Sequence, residues 1–214
     1  MIGWMMLLER FDAWDKRAFD RVARSDLPVL DALLPHLSSA ADNSVLWGLV
    51  AGVLMMTGRP RLQRAGVRGL LAISLASPLT SMVVKQAIRR PRPLTDLIPV
   101  IRRRRVPASS SLPSGHSASA VAFAVAVSRD APLPVATSVT LLAAGVAASR
   151  VYVGAHYPGD VLAGVAVGAA AGWSARGCGR WLRRTLAACA APQEVRRGRC
   201  WPGRSGSSAA TAGS

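Results

Sequence analysis

Acidic residues are scarce in this sequence, 11 against 27 Lys and Arg among 214 residues. Aromatic residues make up only 5%. A nucleic-acid-binding chain can carry the net charge of +16, but it needs an aromatic or grooved surface for the bases, and none is visible here. Cysteine is confined to Cys178, Cys189 and Cys200, near the C-terminus. An odd number without metal-site spacing argues against a disulfide framework or a zinc site. The apolar run Met1–Leu8 is short and lacks a basic start, so no cleavable signal peptide is expected.

Charge is also missing from long runs. Half of the residues are hydrophobic, and the arginines cluster between stretches that hold almost no charge. That segregation is the pattern of a multi-span membrane protein, and a basic surface beside anionic lipid accounts for the charge balance. Residues 44–58, 66–84, 114–128, 132–149 and 160–176 are the five expected spans. The first is short against the ~20 residues that a bilayer needs. Arg68 interrupts the second near its start, and a kink is expected at Pro78. The last three are rich in Ala, Gly and Ser, and Gly164, Gly168 and Gly172 recur every four residues, which lets membrane helices approach closely.

Residues 4–24 read as an amphipathic helix lying in the membrane interface, with Leu7, Leu8, Phe11, Trp14, Ala18 and Val22 near one face and the pairs Asp12–Lys16 and Asp20–Arg24 on the other. Residues 28–42 repeat the theme more weakly. Asp42-Asn43-Ser44 offers helix-cap chemistry. Trp47, Trp173 and Trp181 are candidate interface anchors. The run Arg102–Arg105 reads as a solvated basic patch, or else as a contact to lipid headgroups. The expected fold is an all-α integral-membrane bundle of about five transmembrane helices plus the interfacial helix. Its divisions are 1–43, 44–176 and a basic, largely disordered tail at 177–214.

Three stretches carry chemistry. Ser149-Arg150-x5-His156-x3-Asp160 places a histidine and an aspartate on a tight turn, where the carboxylate can fold back onto the imidazole, fix its tautomer and leave the other nitrogen free to attack. Lys85-x6-Arg92-Pro93 supplies cations, and Pro113-Ser114-Gly115-His116 supplies a second histidine on a glycine turn. Each residue also has a structural reading: Asp160 and Ser114 as helix caps, Lys85 as a snorkelling flank, Arg150 as a loop cation. The loops at 85–115 and 149–160 are separated by two spans, so they emerge on one side and the three stretches can meet.

In that order, the three stretches closely resemble the signature of the type-2 phosphatidic acid phosphatase (lipid phosphate phosphatase) superfamily. Eleven residue types stand at the family's spacings, over roughly residues 44–176. The resemblance implies metal-independent phosphate ester hydrolysis without a cofactor. It implies His156 as nucleophile, Asp160 as its orienting partner and His116 as proton donor. It implies Lys85, Arg92, Ser114, Gly115 and Arg150 as the phosphate cradle. The implied substrate is a lipid phosphate or diphosphate, with a polyprenyl carrier first and phosphatidic acid or phosphatidylglycerol phosphate next. No obligatory protein partner and no nucleic acid are implied. The vanadium haloperoxidases share this pocket, so vanadate-dependent halide oxidation is a second reading, which the expected spans count against. A non-enzymatic protein that binds anionic lipid through its basic loops is a third. On the five-span arrangement the active-site face carries fourteen Lys and Arg and the other face thirteen. Without the three pocket cations the balance leans toward a cytoplasmic tail and an extracytoplasmic site in the cell membrane.

Overall fold

The fold is seen in a computed structural model that describes residues 2–85, 90–93, 98–103 and 109–190; the side chains of 2–5, 8, 83, 84 and 176–190 are outside that description. Residues Met1–Cys178 form one compact unit and Gly179–Ser214 a second, of which the described part, to Ala190, is helical. Among the described residues seven α-helices follow one another, α1 (Ile2–Ala23), α2 (Pro28–Ala40), α3 (Val45–Met56), α4 (Pro60–Pro78), α5 (Gly115–Val127), α6 (Leu133–Tyr152) and α7 (Pro158–Ala190). No strand occurs among the described residues. The expected disordered tail falls largely outside them.

Apolar side chains on α3 to α6 build the main core, with Trp47, Leu54, Leu62, Ile73, Phe123 and Val146 at its centre. Trp47 is only 1% exposed and packs its ring 5.1 Å from that of Phe123. It is therefore a core residue and not an interface anchor: an indole buries more apolar area than its single N–H needs in water. Trp173 is exposed, with the Arg129 guanidinium 4.1 Å above its ring, and the side chain of Trp181 lies outside the description.

Helix α5 is lined by alanine where α4 and α7 meet it (Ala72, Ala76, Ala122, Ala126, Ala171 and Ala175). The glycine repeat on α7 lies along this seam. A Cβ added to Gly164, Gly168 or Gly172 would come within 2.4, 2.3 or 2.7 Å of the carbonyl oxygens of Ser114, Ala118 and Ala122. Backbone rather than side chain occupies that space, so the neighbour cannot rotate away. Gly168→Val is expected to cost about 2–3 kcal/mol, a fall of about 5–10 °C in melting temperature in detergent. An unchanged melting temperature would show that the two helices do not need this approach.

Helix α1 is amphipathic as expected, with apolar side chains of its first turns outward and Phe19 and Ala23 buried. Met6, Leu7, Phe11 and Trp14 are exposed, whereas Asp15 is fully buried. The Asp12–Lys16 pair forms at 2.6 Å, yet Asp12 also reaches into the protein. Apolar side chains also stand outward on later helices, among them Leu49 and Val53 on α3, Val67 and Leu75 on α4, Leu141 on α6 and Leu162 on α7. Among the described residues, α6 alone qualifies by length and apolarity to cross a bilayer unaided; α2 and the segment 42–56 qualify together, bent by 64°. At 1.5 Å per residue the 12 residues of α3 reach about 18 Å, short of a ~30 Å hydrocarbon core.

Two further expectations are corrected. Arg102 is not a solvated cation. It is 1% exposed, bonds to Asp31, to the carbonyls of Val22, Ala23 and Ser25, and lies 4.4 Å over the Tyr152 ring. It ties the α1–α2 turn to α6. Arg103 is exposed and donates to the Ile98 carbonyl, while 104 and 105 lie outside the described residues. Asp42-Asn43-Ser44 forms a 3-10 turn without a side-chain cap bond, because Asp42 is engaged elsewhere.

Candidate active site

The three sequence stretches meet. Helix α4 ends at Pro78 and continues as one π-helical stretch, Leu79–Val84, which delivers Lys85. Lys85 donates to the Ser109 hydroxyl at 3.4 Å, and Arg92 donates to the same residue's carbonyl at 2.9 Å and hydroxyl at 3.3 Å. Arg92 Nη1 also donates to the Ala155 carbonyl at 2.7 Å and lies 3.2 Å from His156 Nε2. A guanidinium can only donate, so Nε2 accepts and the ring proton sits on Nδ1. His156 is 2% exposed. Burial pushes its pKa down to about 4, with Asp160 opposing and the Arg92 and Arg150 cations adding to the fall. The ring is neutral at pH 7, as a nitrogen nucleophile must be.

The cations crowd one another. The Lys85 ammonium is pushed below its usual range by burial and then by Arg92 and Arg150. Arg150 is 4% exposed and donates through Nη1 to Ser38, while its Nε has no partner among the described residues. Three close cations and an open donor suit a multiply charged anion.

His116 stands at the start of α5, and its Nε2 lies 2.8 Å from Asp42 Oδ1. The same carboxylate oxygen is 3.9 Å from Arg150 Nη1. Asp42 thus links the second histidine to the third cation. Lys85, Gly115 and His116 share a cavity of about 250 Å³.

Two residues do less directly what their spacing suggested. Ser114 caps α5: its hydroxyl accepts from the Ser117 hydroxyl at 2.9 Å, and its N–H is spent on the Asp160 carbonyl at 2.9 Å. Only the N–H groups of Gly115 and His116 remain at that helix start. Asp160 Oδ2 is 3.8 Å from His156 Nδ1, too far for a hydrogen bond, so the carboxylate acts on the ring as a charge. Its oxygens are taken by Arg90 Nη1 at 2.8 Å, the Tyr157 N–H at 2.9 Å and the Ser111 hydroxyl.

Arg90 was not singled out by the spacing, which counts from Lys85 to Arg92 and passes over it. It contacts Asp160, Asp15 at 2.7 Å and Asp12 at 3.0 Å, and lies 4.6 Å over the Tyr157 ring. Asp15 in turn accepts from the Gly159 N–H at 2.7 Å. The inward acidic face of α1 therefore fastens the turn that carries His156. The scarcity of acids was the available signal, since three of the 11 converge on one arginine.

Comparison with known proteins points to one family. The PAP2 superfamily model matches residues 66–184. The decaprenylphosphoryl-5-phosphoribose phosphatase of Mycobacterium tuberculosis is 32% identical over 151 residues, 69% of this chain and 79% of the relative. That of Mycolicibacterium smegmatis is 33% identical over 131 residues, 60% and 67% of the two chains. Among solved structures, Aquifex aeolicus LpxE superposes with a TM-score of 0.62 at 25% identity, covering 75% of this chain and 93% of that one. The transmembrane PAP2-type phosphatidylglycerolphosphate phosphatase of Bacillus subtilis gives a TM-score of 0.62 at 24% identity, covering 80% and 87%, and speaks for the fold alone. With more than half of its length matched by the family model and the signature residues gathered in one place, the chain belongs to the PAP2 superfamily.

Proposed function

We propose that this chain hydrolyses the phosphate ester of a long-chain lipid through a phosphohistidine at His156. The contact of Arg92 with His156 Nε2 is the observation that carries the reading, because it puts a phosphate-binding cation on the attacking atom. Lys85, Arg92 and Arg150 hold the phosphoryl oxygens, and the N–H groups of Gly115 and His116 add donors at a helix start. The Nε2 lone pair forms the N–P bond while the ester P–O bond breaks. His116 gives its proton to the departing alkoxide, with Asp42 supporting the imidazolium, and then takes one from the water that releases phosphate.

The outward apolar side chains, those of α1 among them, support a bundle in the membrane, α1 at its surface and α3 to α7 crossing it about five times. The pocket loops share one face, which we assign to the extracytoplasmic side. Cysteines at Val100, 79% exposed, and Leu133, 79% exposed, are then labelled from opposite sides. Labelling from the same side would overturn the topology.

A site at headgroup depth lets a lipid phosphate enter sideways with its tail in hydrocarbon. The relatives named for a decaprenylphosphoryl substrate favour a polyprenyl carrier. In detergent, lipid phosphates are expected to be turned over at least about tenfold more efficiently than p-nitrophenyl phosphate or glucose 6-phosphate, with inhibition by vanadate and none by EDTA. Soluble esters hydrolysed as efficiently as lipids would remove the argument for lateral entry.

A further inference from the structure

Away from the candidate active site, a groove of about 780 Å³ opens between α5, α6 and α7. It does not extend the pocket beside His116. Gly115 and Ser119 of α5 line that pocket, whereas Val121 and Val125 line the groove. At about 100° per residue, Val121 lies about 200° round the helix from Ser119. Seven of the ten residues lining the groove are Val or Ala, and the other three are Ser128, Thr140 and Arg129. Both hydroxyls are spent on the preceding turn of their own helices, Ser128 on the Ala124 carbonyl at 2.7 Å and Thr140 on the Ala136 carbonyl at 2.8 Å. The wall therefore presents hydrocarbon and one cation.

Arg129 stands just past the end of α5, roughly 20 Å along the helix from His116. Its guanidinium lies 4.1 Å over the Trp173 ring, and its Nε is buried without a hydrogen-bond partner among the described residues. A buried N–H on a cation costs free energy until an acceptor meets it. The neighbouring acceptors are engaged. Asp130 is held by Arg68 at 2.6 Å, the Ala124 carbonyl accepts from Ser128, and the Val127 carbonyl accepts from the N–H groups of Asp130 and Ala131. The Arg68–Asp130 pair also brings α4 beside the end of α5, and Arg59, Arg61 and Arg64 are exposed at the start of α4. Acids are missing from α3 and α4, and Asp130 is the only one between Asp96 and Asp160. This end of the bundle is therefore strongly cationic.

The occupant that fits has a hydrocarbon arm for the groove and a negative head that carries no ammonium, since an ammonium would meet the surrounding arginines. We infer that the groove binds an anionic phospholipid of the surrounding membrane, with an acyl chain along α5 and α6 and its phosphate accepting from Arg129. The site lies at the opposite end of α5 from His116, so the bound lipid is not the substrate. At their other ends α5, α6 and α7 carry His116, Arg150 and Asp160. The lipid thus braces the three helices that carry the candidate active site. This inference goes beyond the phosphatase reading and does not depend on it.

The test titrates the purified full chain, in neutral detergent, with phosphatidylglycerol and with phosphatidylcholine of the same acyl chains. Bound lipid is counted by native mass spectrometry in concentrated ammonium acetate, which screens the exposed arginines. Phosphatidylglycerol is expected to bind at least about fivefold more tightly, the effect of one basic side chain on an anionic lipid. Arg129→Gln removes that preference, and Arg129→Lys keeps part of it. Ala144→Phe fills the groove from an exposed position on α6 and weakens phosphatidylglycerol by a similar factor. Arg92→Ala, in the candidate active site, leaves the preference intact. Arg129 is half-buried and Ala144 exposed, and either variant decides the matter if the other fails to fold. Equal affinity for the two lipids, a preference that survives Arg129→Gln, or binding unchanged in Ala144→Phe would overturn the inference. A preference lost in Arg92→Ala would put the lipid in the active site, and a dimer that becomes a monomer in Ala144→Phe would put a second copy in the groove. Either result overturns it too. Phosphate release, on which the phosphatase reading stands, enters none of these measurements.

Discussion

His156→Ala is expected to abolish phosphate release, by about 10⁴-fold or more, while the protein still inserts and folds. The side chain contributes the only attacking atom in the scheme, and no neighbour can replace it: Arg92 and Lys85 donate only, and His116 is turned to Asp42. Folding survives because Arg92 keeps its bonds to Ala155 and Ser109 when the imidazole goes. His156→Gln, closer in size, leaves a smaller void and should lose activity to the same extent. Single-turnover reactions with a radiolabelled lipid phosphate, quenched in alkali, would detect the phosphohistidine in the wild type and none in either variant. Substantial turnover by His156→Ala would refute the covalent route.

The second large effect is on stability. Arg90→Met is expected to cost about 3–5 kcal/mol, since it leaves Asp15 and Asp160, both fully buried, without their shared cation. For a chain of this size that is a fall of about 6–20 °C in melting temperature. Activity should fall with it, because the Asp160 carboxylate also holds the Tyr157 N–H, in the turn that carries His156, and Ser111, in the segment before α5. Adding Asp15→Asn to Arg90→Met removes one stranded charge and should restore part of the loss. A double variant no more stable than the single one, or a single variant that melts like the wild type, would show that the cluster does not hold the turn. Arg90→Lys is not a neutral change either, as one ammonium cannot span three carboxylates and an aromatic face.

The helices were legible because membrane-like sequences segregate charge locally. Each uncharged run became a helix, and the glycine repeat became the tight α5–α7 seam. The three stretches that meet in the candidate site were legible through their spacing, and the roles proposed for them through the family resemblance. Their supports were not. Arg90 meets Asp12 across 78 residues, Arg102 meets Asp31 across 71, and His116 meets Asp42 across 74. No local period encodes such pairs. Trp47 was misjudged for a related reason: an indole suits an interface or a core equally, and only the Phe123 ring facing it decides. The inward contacts of the α1 acids were not legible because amphipathic analysis identifies two faces without naming the partners of either.

The contact between Arg92 and His156 sets an order of events in the proposed scheme. The Nε2 lone pair of His156 already accepts a hydrogen from Arg92. While that hydrogen rests there, the strongest nucleophile in the pocket is out of use. A neutral electrophile that wanders in offers the guanidinium nothing and finds the nitrogen covered. A phosphate offers oxygens, draws Arg92 onto itself and bares the nitrogen in the same movement. In the proposed scheme the phosphate itself therefore frees the nitrogen that attacks it.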